Sequence, residues 1–226
     1  MAPATLATTA VLAAGLTACG SATSAEPTSQ THAHAAAELG ARDHVTTTSE
    51  AALYTAMRTL WVQHMEWTYA TIAAFAADSP GLGATLDRLL ANQSDIGETI
   101  KPFYGDEAGH ALTRLLEAHI NGAVPILVAA KAGNTDDLTT AVAAWYDNAR
   151  QIADFLAAAN PAWSKSDLED MMKGHIDQTL DYATAQLQGR YADSIRSYDK
   201  AEAHMQDMAD LLSAGIVKQF PKQFRR

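Results

Sequence analysis

Four histidines recur in a pattern that suits metal ligation. Leu60-Trp61-Val62-Gln63-His64, Leu115-Leu116-Glu117-Ala118-His119 and Met171-Met172-Lys173-Gly174-His175 each read apolar, apolar, two others, His, at offsets of 55 and 56 residues. A second series carries polar residues at an offset of 56: Asn92, Asn148 and His204 open runs whose fifth residues are Ile96, Ile152 and Met208. Imidazole is the commonest side-chain ligand for zinc, copper and haem iron, and three His with an open position suit zinc or copper. Met172 and Met208 lie close in sequence to His175 and His204, and thioethers tilt the choice toward copper or a His/Met-ligated haem. The expected ligands are His64, His119, His175 and His204, with Asn92 and Asn148 as a supporting layer.

Such a layer needs elements that bring distant residues to one height. From Glu50 onward the apolar pattern is helical, and turn signals fall at Asp78–Gly81, Pro102–Gly105, Gly133-Asn134, Asn160-Pro161 and Gly189. They mark off six helices, and no segment alternates like a strand. The expected fold is all-α, a six-helix bundle built from three helical-hairpin repeats of about 56 residues, a length set by the offsets above. In each first arm the His stands three and four residues after an apolar pair, so it shares the apolar face. His119 lies fourteen residues before Gly133 and Asn148 fifteen after it; His175 and His204 straddle Gly189 in the same way. The spacing predicts a polar layer across the middle of an apolar bundle.

Buried polar groups must be satisfied, at a cost of about 1–3 kcal/mol each when they are not. A ligand satisfies this layer; so does internal hydrogen bonding that sets helix register, as buried Asn does in coiled coils. Thr68 and Thr179, at i+4 from His64 and His175, and Asp95 and Asp207, at i+3 from Asn92 and His204, are candidates to orient the rings. A ferritin-type di-iron centre needs Glu-x-x-His, whereas the acids here stand two residues from His64, His119 and His204, off the shared face. There is no Gly-rich phosphate loop, Gly-x-Ser-x-Gly or His-Glu-x-x-His. The reading leans away from an enzyme and names no catalytic residue.

The N-terminal residues carry an address. Residues 6–18 are uncharged and mildly apolar, too short for a bilayer span but of signal-peptide length. Leu16-Thr17-Ala18-Cys19-Gly20 follows and resembles the bacterial lipobox, in which the Cys is lipidated and begins the mature protein. No Lys or Arg precedes the apolar run, which places the expected translation start upstream of Met1. The expected organisation is a lipoprotein signal peptide over 1–18, a flexible Ala/Thr/Ser/Pro-rich tether over 19–48 and a helical domain over 49–226. The expected location is extracytoplasmic, anchored to the bacterial cell membrane through Cys19.

At Leu60–His64, Lys101-Pro-Phe-Tyr-Gly105, Ala144–Asn148 and Lys218-Gln-Phe-Pro221 the chain resembles a family of uncharacterised bacterial exported helical proteins. Some members carry an acetylglutamate kinase label, which implies an α/β fold with a nucleotide-binding glycine loop. The helical pattern and missing glycine loop speak against that label here. Among the 226 residues, 26 are acidic and 16 basic, a formal charge of −10 that repels phosphate backbones and excludes a nucleic-acid partner. The single Cys rules out an internal disulfide. The sequence therefore points to a tethered lipoprotein that binds copper or zinc, with haem behind them. A non-catalytic scaffold or sensor-like interaction module is the alternative.

Overall fold

The computed structural model describes residues 49–224. The signal run, Cys19, the tether and His44 lie outside the described residues. Within them the chain forms α1 (Glu50–Ala76), α2 (Leu82–Tyr104), α3 (Asp106–Ala132), α4 (Thr135–Ala159), α5 (Lys165–Leu187), α6 (Tyr191–Gln219) and α7 (Pro221–Phe224), with no strand. The protein is all-α, as expected. The four-residue α7 is an addition that the turn signals do not announce.

Local chemistry sets the helix ends. The side chains of Ser49, Asn134 and Ser164 accept hydrogen bonds from the backbone N–H groups of Ala52, Asp137 and Asp167, capping α1, α4 and α5. Asp136 and Asp137 lie in the first turn of α4, where the helix dipole favours them. Gly133 closes α3 at φ 68°, a left-handed conformation that other residues adopt at a cost. At the second break, α2 runs on through Pro102 and stops only at Gly105, φ 83°. Proline near a C-terminus forfeits one backbone bond, whereas positive φ ends the helix.

Consecutive helices pack on one another and α6 returns to α1, closing a ring. Contacts across the ring join α1 with α3, α1 with α5, and α3 with α5. The three odd-numbered helices thus meet in the interior. They are the ones that carry His64, His119 and His175. The buried core runs through all six long helices and includes Met57, Met65, Ile96, Ile152, Ile176, Tyr182, Met205 and Ile216. At Gly97 and Gly109, α2 and α3 come so close that a Cβ on either would stand 2.7 Å from the other's carbonyl oxygen.

Candidate functional site

His64, His119 and His175 are almost fully buried, at 2%, 3% and 4% exposure. Their rings converge where α1, α3 and α5 meet: the His175 centroid lies 5.6 Å from that of His64 and 5.7 Å from that of His119. Trp145 stacks on His119 at 4.9 Å and donates from Nε1 to the His119 carbonyl at 2.9 Å. Trp61 stands edge-on to His64 at 5.5 Å. These contacts pack the rings among apolar neighbours.

The second arms do something different. Asn92 Nδ2 donates to the Leu60 carbonyl at 3.1 Å and Asn148 Nδ2 to the Leu115 carbonyl at 3.2 Å. His204 Nε2 lies 2.9 Å from the Met171 carbonyl. Leu60, Leu115 and Met171 each stand four residues before His64, His119 and His175, so one kind of contact recurs between α1 and α2, α3 and α4, and α5 and α6. His204 is half-buried and occupies the place that Asn fills in the other two. A Cβ on Gly174 would come within 3.2 Å of its ring, which shows that glycine makes room for the larger side chain. The structure therefore brings three of the four expected ligands together. It engages the Nε2 of the fourth with a backbone carbonyl.

Asn148 also shapes the site. Its Oδ1 is 2.7 Å from His119 Nδ1. Because Nδ2 of the same amide donates to Leu115, Oδ1 must accept, which puts the His119 proton on Nδ1 and leaves a lone pair on Nε2. His64 is held by a residue the sequence reading did not single out. Gln93, fully buried, places Nε2 3.2 Å from His64 Nδ1 and 2.8 Å from the Leu89 carbonyl. The 56-residue offset carries a signal for it: the matching positions, Ala149 and Met205, are buried and apolar. An amide in that column has to be answered by another polar group.

The proposed orienting residues fare unevenly. Thr68 Oγ1 donates to the His64 carbonyl at 2.6 Å, a helix-internal bond that does not touch the ring. Asp95 and Asp207 are exposed, and Asp95 pairs with Arg88 at 3.5 Å. Thr179 Oγ1 is buried without a hydrogen-bond partner among the described residues, as are His119 Nε2, His175 Nδ1 and Gln93 Oε1.

Burial sets the charge state. It pushes His64 down to about 3, helped by nearby His119 and opposed by the Gln93 contact. Burial likewise takes His119 down to about 4 against the pull of Asn148. His175 falls well below the usual imidazole range through burial and the adjacent His64, His119 and His204. All three are neutral at physiological pH, the form that ligates metals. Among the described residues no three ligating side chains have donor atoms gathered tightly enough to hold an ion without rearrangement. The rings converge, but their nitrogens are not yet aimed at one point.

No protein-family model, curated protein or solved structure is similar to this chain. The site must be read from its own chemistry. Two small cavities share the three imidazoles in their linings. One, about 30 Å³, also has Met57, Met172, Met208, Trp61 and Trp163 in its wall. The other, about 60 Å³, is otherwise aliphatic apart from Trp145 and three threonines.

Proposed function

We propose that this protein is an exported lipoprotein, anchored through Cys19, that binds a copper or zinc ion at His64, His119 and His175. The observation that carries the reading is a pair of orphaned atoms: His119 Nε2 and His175 Nδ1 are buried, neutral and without hydrogen-bond partners among the described residues. A polar layer kept only for helix register would satisfy its own groups, as Asn92 and Asn148 do at Leu60 and Leu115. An ion would satisfy both of these imidazole nitrogens at once. The three methionines beside the rings favour cuprous copper over zinc, since soft thioethers select it. Cavities this small favour a bare ion over a haem. His204 is assigned to the structural contact with Met171.

The test is metal content by mass spectrometry on residues 45–226, stripped with chelator and reloaded with cuprous or zinc ion. Near-stoichiometric uptake that His119→Asn abolishes supports the reading. Retention of metal by the triple variant H64N/H119N/H175N, or no uptake by the native chain, refutes it. The anchor is tested separately: Cys19→Ser should end palmitate labelling in cells and release the protein from the membrane fraction.

A further inference from the structure

One side of α3 is turned outward and carries almost no charge. From Ala118 to Ala130 the helix holds no acidic residue, Lys or Arg. Two large apolar side chains are left exposed here, Val124 at 39% and Val128 at 51%. Arg114, Ala118, Asn121, Pro125, Val128 and Ala132 are all exposed, at successive spacings of four, three, four, three and four residues. Those spacings keep the six on one helix face, and they read the same in both directions. Pro125 has no N–H, so the Asn121 carbonyl on that face lacks its helical hydrogen bond. Beside the face, Val128 and Ala132 border an open groove of about 390 Å³ whose far wall is Thr140, Ala141 and Ala144 of α4. Lys131, at the same end of α3, is paired with Asp78, whereas Arg114 and Asp136 make no ion pair among the described residues.

We propose that this face pairs with a second copy of the chain, the two α3 helices running antiparallel about a two-fold axis at Ala123. The palindromic spacing then sets Ala118 opposite Val128 of the other copy, Asn121 opposite Pro125 and Arg114 opposite Ala132. Each Asn121 amide is placed to donate to the carbonyl that Pro125 leaves open in the other copy. Each Arg114 comes to the C-terminal end of the other α3, where the helix dipole favours a cation and Asp136 and Asp137 stand in the first turn of α4. A parallel pair would set Arg114 against Arg114. A lipid surface fits less well, although α3 is long and apolar enough to span a bilayer. Interfacial helices present large apolar side chains flanked by Lys and Arg, whereas this face offers Ala, Val and Pro with Asp136 and Asp137 at its end. A contact of one helix face lies at the low end of interface sizes, so the expected dissociation constant is on the order of 100 µM. The pairing stands apart from the metal reading, since it uses none of the buried histidines.

The test uses the whole chain with Cys19→Ser, so that introduced thiols are the only ones. Sedimentation velocity over concentrations spanning the expected constant should show a reversible monomer–dimer equilibrium. Val128→Asp places a charge in the centre of the contact and should weaken it by about tenfold or more. Arg114→Glu should also weaken it, and Asp136→Arg added to Arg114→Glu should restore it. Under mild oxidation the double variant Ala118→Cys/Val128→Cys should form a disulfide-linked dimer. Ala118→Cys alone should not, because the two copies of residue 118 stand ten residues apart along the helix axis, about 15 Å. A monomer at every concentration, association indifferent to Val128→Asp, or cross-linking of Ala118→Cys alone as readily as the pair overturns the proposal. So does binding to phosphatidylglycerol vesicles that Val128→Asp abolishes while no dimer forms, which would assign the face to a membrane instead.

Discussion

Acid should unfold the metal-free protein through its three central imidazoles, and the size of the effect follows from their burial. A free imidazole in the unfolded chain titrates near 6.5. In the folded chain His64 titrates at about 3 and His119 at about 4. Between those limits the unfolded chain takes up protons that the native chain refuses. Stability is therefore fully present above pH 6.5 and is lost as pH falls toward 4, at about 1.4 kcal/mol per pH unit per imidazole. At pH 4.5 His64 and His119 together remove about 5 kcal/mol, and His175 adds to that in the same direction. Such a loss rivals the whole stability of an ordinary domain. The aspartates held low by ion pairs, Asp177, Asp193 and Asp210, act in the same direction, but their window lies lower, around and below pH 3.8. The range from pH 6 to 4.5 thus isolates the histidines. Urea unfolding followed by circular dichroism in chelator, at half-unit steps, gives the slope. Three imidazoles predict about 4 kcal/mol per pH unit, and His119→Gln should remove about 1.4 of it. A stability flat to within about 1 kcal/mol from pH 7 to 4.5, or an unchanged slope in His119→Gln, would refute the reasoning.

Asn148→Ala removes the acceptor for His119 Nδ1 and the donor to the Leu115 carbonyl; it should cost about 1–3 kcal/mol in urea unfolding. The same change should weaken metal affinity about 10–100-fold in a competition titration, because the ring loses the partner that sets its tautomer. Gly97→Ala pushes a Cβ into Thr113 and the Gly109 carbonyl, and a loss of about 1–3 kcal/mol is expected. Gly83→Ala, in the first turn of the same helix with nothing within 4 Å of the new methyl, should instead raise the melting temperature slightly, by about 0.5–1 kcal/mol of added stability. Gly174→Ala should displace the His204 ring, seen as a changed His204 Cε1–H shift by NMR with smaller effects at His64.

Much of this architecture is written in local chemistry. A 3.6-residue apolar period, three polar N-caps and glycines at 105, 133 and 189 suffice to mark helices and turns, because helix formation and termination depend on residues within a turn of each other. The inward direction of His64, His119 and His175 is legible for the same reason. A polar residue three and four positions after an apolar pair has to share that pair's environment. Asp95 and Asp207 show the limit of this logic. They stand three residues from Asn92 and His204, a spacing that allows a shared face, yet both are exposed, so spacing to one layer residue does not fix burial.

Tertiary packing decided the rest. That α1, α3 and α5 meet across the ring follows from how six helices close on one another, and no single helix carries that information. His204 lies in an inward pattern as strong as that of the others, but a second arm faces a first-arm carbonyl, so its nitrogen goes to Met171. The partner of His64 is Gln93, a contact 29 residues away that exists only because α1 and α2 bring their buried faces together. The cavity beside the rings is a residue of imperfect filling among side chains from several helices, and its volume depends on packing that no helical period records. The sequence by itself determined that His64, His119 and His175 face inward and at what height along their helices, since those are consequences of periodicity and turn chemistry. Only the tertiary structure decided which nitrogen finds a partner and which is left without one, because hydrogen bonding is settled over a few ångströms between helices far apart in the chain.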